Sequence, residues 1–455
     1  MSEAAPALTV DRLAALVASR EIDTVVVGIT DMQGRLQGKR FAAAHFLEDV
    51  MTGGTEGCNY LLAVDVEMNT VLGYAMSSWD RGYGDFVMVP DVSSLRLLPW
   101  HPGTAFCVAD LQWADGSPVV ASPRQILQRQ SERLAAHGWH ALAATELEFI
   151  VLNDTFEQAW QSGYRSLTPA NLYNVDYSLL GTGRVEPLLR RIRNDMGEAG
   201  MWVESAKGEC NYGQHEIASR YTGLLEKADE HSLFKMGAKE IAGQEGYSLT
   251  FMAKFDAREG NSCHVHLSLR DDSDRPVFSG EGSHGFSEVF EHFIAGLLAT
   301  LRELTLFLAP NINSYKRFVR GSFAPTALAW GRDNRTCALR IIGHQPKALR
   351  VECRVPGGDV NPYLALSAMV AGGLYGVEEG LELEPEFTGN AYESDKPRLP
   401  TTLREAAELF AASQVARKAF SDDVVAHYLN MARVELEAFE SAVTDWERYR
   451  GFERL

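Results

Sequence analysis

Two histidines stand two residues apart in "EGNSCHVHLSL" (Glu259 to Leu269), and two glutamates do the same in "TELEFIV". Side chains alternate across a strand, so His264 and His266 share one face, as do Glu146 and Glu148. A pair of histidines is not a metal site: a structural zinc takes four ligands and a catalytic zinc about three. Cys263 faces the other way and adds nothing. Taken alone, the two rings are polar residues of a half-buried strand. Two carboxylates so close repel, and one keeps its proton unless cations neutralise them. The apolar residues that follow Glu148 read as a strand entering a core rather than a solvated edge.

More carboxylates gather in two other stretches. "VESAKGECNYGQHEIASRY" supplies Glu204, Glu209 and Glu216, with glycines that let backbone approach a ligand. "RVECRVPGGDVNPYL" places Glu352 between Arg350 and Arg354, all at alternate positions of an expected strand. Glu146, Glu148, Glu209, Glu216 and Glu352 with His264 form a hard, oxygen-rich set that suits Mg²⁺ or Mn²⁺, not a thiolate zinc. Residues 317–354 then carry Arg317, Arg335, Arg340, Lys347, Arg350 and Arg354. Fixed guanidinium forks beside divalent ions are what phosphoryl transfer needs, because its charge is spread over several oxygens. Any one arginine is ordinary surface; the collection is not.

These residues need a large scaffold, and 455 residues supply one or more domains with ample core. A hydrophobic content of 45% and a charged content of 23% are those of a soluble globular protein. The formal charge of −18 disfavours nucleic acid or an anionic membrane as partner. Six scattered cysteines without a C-x-x-C pair read as reduced thiols, and hence a cytoplasmic location. The N-terminus has an early acid and no basic leader region, so it is not read as a signal peptide. "ALSAMVAGGLYGV" is too short and glycine-rich to span a bilayer and reads as a buried helix.

The positioning elements follow from periodicity and punctuation. "TVDRLAALVASR" is an amphipathic helix capped by Thr9 or Asp11, and "IDTVVVGITDMQGRLQGKRFA" is two strands about a glycine turn. Pro99, Pro102 and Gly103 cluster at "LPWHPGT", which sets a boundary near 104. The division is therefore a compact α+β unit over 1–104 and a larger unit over 105–455. In the second, strands such as "AFCVADLQW" and "ALAATELEFIVL" alternate with helices, and the C-terminal part is helix-rich. The fold class is α+β.

The stretches "TELEFIV", "VESAKGECNYGQHEI", "FMAKFDAREGNSCHVHLSL", "NSYKRF", "WGRDNRTCALRI", "LRVECRVP" and "NPYLA" closely resemble, in order, the motifs of the glutamine synthetase family. The resemblance implies an N-terminal β-grasp domain and a large catalytic α/β domain built on an antiparallel active-site sheet. It implies a ligase that uses ATP as co-substrate with two or three Mg²⁺ or Mn²⁺ ions, phosphorylates the γ-carboxylate of glutamate and passes the acyl group to an amine. Glu148, Glu209 and Glu216 match the metal set on the glutamate side; Glu146, His264 and Glu352 match the set at the ATP phosphates. Glu204, His266, Ser268, Lys347 and Arg350 match nucleotide contacts. Arg317 and the Gly260 backbone match the glutamate site, Arg354 its γ-carboxylate, and Arg335 and Arg340 the transferred phosphoryl group. A homo-oligomer of two stacked hexameric rings is implied too.

The chain departs from the family at the amine. Members that use ammonium carry a flap glutamate in a G-x-E-A-P-like motif, whereas this chain reads "GSFAP", with Phe323 there. A phenyl ring cannot hold ammonium, but it can line a pocket for methylenes at about 0.8 kcal/mol each. The second acid of the ammonium site matches Glu56 in "GTEGCNY". The wording of "TDMQGRLQGKRF" and "GNSCHVHLSL" most resembles the γ-glutamyl-amine ligases of actinobacteria, the glutamate–ethanolamine branch first; a polyamine or plain ammonium is the alternative acceptor. Tyr392 stands where the family has a modifiable tyrosine, but its flanks differ. A dinucleotide site at "GEGSHG" (Gly280 to Gly285) has the G-x-G-x-x-G spacing without a βαβ context. A non-catalytic relative would be expected to lack metal ligands, and every matched ligand is present.

Overall fold

The computed structural model describes residues 8–282 and 284–455. The leaderless reading of the N-terminus rests partly on residues 1–7, which lie outside these. So does Ser283 of the G-x-G-x-x-G stretch. The rest of that stretch is a turn between an antiparallel strand and the helix Glu288–Thr300, so no βαβ unit surrounds it.

Thr9 caps the first helix, Val10–Ala18, by accepting from the Arg12 amide. Six strands follow: β1 (Thr24–Thr30), β2 (Leu36–Ala42), β3 (Thr55–Cys58), β4 (Asp85–Pro90), β5 (Arg96–Leu97) and β6 (Thr104–Gln112). They form one sheet in the order β2-β1-β6-β4-β3, with β5 added to β6. The pairs are antiparallel except β1 with β6.

The proline–glycine cluster expected to end this unit is instead a turn inside it. The Leu98 amide donates to Thr104 O and the Thr104 amide to His101 O, closing β5 onto β6. Strand pairing therefore carries the N-terminal unit past 104, to Gln112.

The second sheet holds β7 (Trp139–Leu152), β8 (Val203–Gly208), β9 (Gln214–Ser219), β10 (Thr222–Gly223), β11 (Ser248–Thr250), β12 (Cys263–Asp271), β13 (Trp330–Arg332), β14 (Leu339–Ile342) and β15 (Arg350–Cys353). Its path is β13-β14-β15-β12-β7-β9-β8, antiparallel throughout except for β13 with β14. β7 alternates buried and half-buried residues up to Glu146, as a strand with two unlike faces must. Its odd residues, Thr145 and Leu147, point into a core covered by the helices Pro123–Ala136 and Leu224–Gln244. The helix Pro362–Glu379, which packs on both, contains the "ALSAMVAGGLYGV" run and is buried along most of its length.

Arg124 locks the two sheets together. It is 3% exposed and pairs with Asp91 and Asp110 of the N-terminal unit and with Asp229 of the helix Leu224–Gln244. A buried guanidinium is tolerated because three carboxylates share it. Asn361 adds a second tie, donating to Asp31 O and Met32 O.

Candidate active site

The register of the second sheet does the assembling. His264 on β12 lies opposite Glu146 on β7, and His266 lies opposite Glu352 on β15. Glu148 faces Glu216 across β7 and β9, and Glu216 faces Lys207 across β8. Arg340 on β14 faces Glu352. Four sequence-distant motifs thus become adjacent rows on one face of one sheet. That face forms a cavity of about 290 Å³ lined by Glu146, Glu148, Glu209, Glu216, His264 and Arg340 among others.

On one side, oxygens of Glu148, Glu209 and Glu216 all lie within 4.8 Å of one another. Burial, and then the charge of Glu146, pushes the Glu216 carboxyl up to about 9. Burial and then Glu209 raise Glu148 to about 7. Glu148 Oε2 accepts from the Ser262 amide at 2.8 Å and from Gln214 Nε2 at 2.9 Å, which fixes its aim. Three carboxylates, two buried and one half-buried, that resist ionising in each other's company suit a divalent cation. The one cation among them is Lys207, ion-paired with Glu209 and held charged by Glu216 and Glu209 against the opposing effect of burial.

On the other side, His264 Nδ1 lies 3.0 Å from Glu146 Oε2 and 3.5 Å from Glu352 Oε1. Burial, then the nearby Arg354, lowers the His264 pKa to about 4, so its ring is neutral with a lone pair to give. Its Nε2 is buried without a hydrogen-bond partner among the described residues. His266 Nε2 is 3.0 Å from Glu146 Oε1 and belongs by distance to the same group as Glu146 and Glu352. Its Nδ1 accepts from Arg350 Nε at 3.2 Å. Both rings thus stand beside Glu146 and Glu352: His266 groups with the two carboxylates by distance, and His264 points Nδ1 at both. Glu352, fully buried, accepts from Arg340 at 2.9 Å and Arg354 at 2.5 Å.

A second cavity of about 410 Å³ adjoins the first across Glu146. Glu204, His266, Ser268, Lys347 and Arg350 line it together. Arg270 supports its wall by donating to Lys347 O at 2.8 Å.

Gly260, Phe323, Arg335 and Arg354 line the first cavity as well. Arg317 and Glu56 do not. Arg317 is buried behind it, its fork taken by Val355 O, Arg354 O and Ser262 Oγ. Glu56 is an exposed residue of β3 in the N-terminal sheet. Tyr392 is 8% exposed and its hydroxyl donates to Ala324 O at 2.9 Å, a position poorly suited to modification. Sequence reasoning missed Lys207, Asp176, Tyr177 and Glu259 in the first cavity and Tyr221 in the second. Lys207 was legible two residues before Glu209, near the end of β8. Asp176 and Tyr177 sit in an irregular segment with no periodic signal.

A model of the glutamine synthetase catalytic domain matches residues 120–450. The chain belongs to the glutamine synthetase family. This places it among carbon–nitrogen ligases, whose members use ATP and divalent metals. It is 65% identical over 455 residues to the γ-glutamylethanolamide synthetase GlnA4 of Streptomyces coelicolor, covering all of this chain and 98% of the relative. It is 38% identical to a glutamate–isopropylamine ligase of a Pseudomonas species, over 95% of this chain and 96% of the other. A solved structure of GmaS with ADP aligns with a TM-score of 0.85 at 27% identity, over 97% of this chain and 99% of that one. The N-terminal sheet and the antiparallel active-site sheet agree with the architecture expected from sequence.

The raised carboxyls give a prediction with a definite sign. A carboxyl lifted from its ordinary 4.5 to about 9 in the folded chain, as at Glu216, stabilises the metal-free fold at low pH and loses that contribution as pH rises through 9. Raising the pH from 6 to 9 should therefore lower the stability of the metal-free protein and strengthen metal binding. At pH 7, binding should release about one proton or more. Calorimetric titration in two buffers of different ionisation enthalpy reads this directly. Binding without proton release would show that these carboxylates are already ionised.

Proposed function

We propose that this chain is an ATP-dependent ligase that joins the γ-carboxylate of L-glutamate to a primary amine through γ-glutamyl phosphate, with ethanolamine as the favoured acceptor. The observation that carries the reading is Phe323, an exposed ring in the wall of the cavity that holds both carboxylate sets. Similarity to the Streptomyces γ-glutamylethanolamide synthetase supports it.

Glu148, Glu209 and Glu216 would hold one ion, and Glu146, His264 and Glu352 another, two or three Mg²⁺ or Mn²⁺ in all. Bound there, they would offset the repulsion between two anions as carboxylate meets phosphate. The protein supplies the rest. Glu204, His266, Ser268, Lys347 and Arg350 take the nucleotide in the second cavity. Arg340, with one branch on Glu352 and one on Asp333, and Arg335 at the exposed rim receive charge on the transferred phosphoryl group. Arg354 sits where the γ-carboxylate would lie, while the Gly260 backbone and, behind Ser262, Arg317 shape the glutamate end.

Assembly belongs to the same proposal. Glu56 faces solvent away from its own chain's cavity, and the C-terminal helix Asp445–Gly451 exposes Trp446 and Tyr449. Two stacked hexameric rings, with Glu56 of one subunit completing a neighbour's amine site, would use both. No helix among the described residues is long and apolar enough to cross a membrane, and all six cysteines are free thiols, which supports a cytoplasmic enzyme.

The test is phosphate release with ammonium, ethanolamine, putrescine and spermidine, on protein sized by light scattering. Ethanolamine should exceed ammonium in kcat/KM by about tenfold or more, the worth of its two methylenes at the ring. Faster turnover with ammonium would make the chain an ordinary glutamine synthetase, and with spermidine a polyamine ligase.

A further inference from the structure

Six carboxylates line the first cavity: Glu146, Glu148, Asp176, Glu209, Glu216 and Glu259. Four of them belong to the two metal sets. Glu259 adjoins Gly260 and Ser262, beside Glu148, at the end assigned to the amino acid. Asp176 is left over.

Its segment is built to hold a fixed shape. Val175 is fully buried, and a Cβ at Gly208 would come within 2.3 Å of Val175 O, so only glycine lets β8 close on this loop. The Ser178 amide donates to Val175 O at 2.8 Å and the Asp176 amide to Asn174 Oδ1 at 2.9 Å. The backbone is thus tied down while the Asp176 and Tyr177 side chains reach the cavity. An Asp176 oxygen, a Glu209 oxygen and Cys210 Sγ lie within 4.8 Å of one another, so Asp176 adjoins the Glu148–Glu209–Glu216 trio through the shared Glu209. Lys207 Nζ is 3.9 Å from Asp176 but closer to Glu209. Among the described residues the Asp176 carboxylate accepts no hydrogen bond, and it is open to the cavity and to solvent. Tyr177 is 72% exposed, with Lys207 Nζ 4.7 Å from its ring centre, so its face already receives a cation. Phe323 lines the same cavity at 56% exposure.

We infer that Asp176 and Tyr177 form, with Phe323, the acceptor-amine subsite within a single chain: Asp176 holds the nitrogen head and the two rings hold the carbon. This deepens the amine-ligase reading and rests on it. The carboxylate accepts the N–H bonds of an alkylammonium, and an aromatic face beside it attracts the same charge while covering methylenes. The metal trio next to it places the nitrogen close to the acyl group it must attack. Glu56, wherever a neighbour brings it, then adds to an acid already present.

Asp176→Asn keeps the side chain's size and removes its charge. It should raise KM for ethanolamine about tenfold or more, with KM for glutamate moving less than twofold. Asp176→Glu should recover most of the loss. Tyr177→Ala should lower the ethanolamine-to-ammonium ratio of kcat/KM about fivefold, from the lost ring contact. An unchanged ethanolamine KM in Asp176→Asn, in an enzyme whose wild type prefers ethanolamine, would overturn the inference and leave the function standing. An equal rise in glutamate KM would also overturn it, by assigning Asp176 to the amino acid. A wild type that prefers ammonium would instead remove the function itself.

Discussion

Glu352→Ala should cut glutamate- and amine-dependent ATP turnover by about a thousandfold or more, the scale of losing one preorganised electrostatic partner, compounded here by the lost ligand. Glu352 is fully buried and accepts from Arg340 and Arg354, with His264 Nδ1 3.5 Å away. Truncation therefore removes a candidate metal ligand and also leaves buried guanidinium charge without its partner, which costs about 3–5 kcal/mol. Arg340 can fall back on Asp333; among the described residues Arg354 is paired with no other carboxylate. The alanine variant alone would confuse chemistry with folding. Glu352→Gln separates them, because it keeps shape and one acceptor oxygen while losing the charge. It should melt closer to wild type than the alanine variant and still lose most of its turnover at saturating metal. Near-native phosphate release from a folded Glu352→Gln protein would remove Glu352 from the metal set.

The parts of this site that were legible in sequence are those that alternation controls. "HVH" and "TELEF" each declare a face by alternation alone. What the sequence could not show is register between distant strands, such as His264 against Glu146 and His266 against Glu352. Nor does any spacing rule contain the hydrogen bond that Arg350 gives to Nδ1 of His266. The proline–glycine cluster before 104 is ambiguous for a local reason. Proline and glycine mark a change of direction, and a hairpin within one sheet uses the same residues as a linker between two. Arg317 shows the converse limit: its motif is plain, yet burial has committed its fork to backbone carbonyls. Asp176 left no trace because a loop pinned by Val175 and Gly208 has no period to read.

Phe323→Glu should reverse the amine preference, lowering the ethanolamine-to-ammonium ratio of kcat/KM by about tenfold to a hundredfold. Two effects point the same way. Losing the ring removes up to about 0.8 kcal/mol for each methylene it covered. Gaining a carboxylate favours the cation whose four N–H donors all need acceptors. The backbone should tolerate the change, because it is held independently of the side chain. Phe323 sits at φ +58, a strained setting for any residue but glycine, and its carbonyl accepts from Arg354 at 3.3 Å. The next carbonyl, of Ala324, accepts from Tyr392, and Arg320 pairs with Glu393 on the same short helix. Because the ring is 56% exposed, its removal opens no core cavity, and stability should change by less than about 1 kcal/mol. Phe323→Leu is the discriminating companion: it keeps an apolar wall without charge, so it should retain the alkylamine preference that the glutamate variant loses. If both variants kept the wild-type ratio, the ring would face away from the amine, and selectivity would have to come from Asp176 and Tyr177 alone.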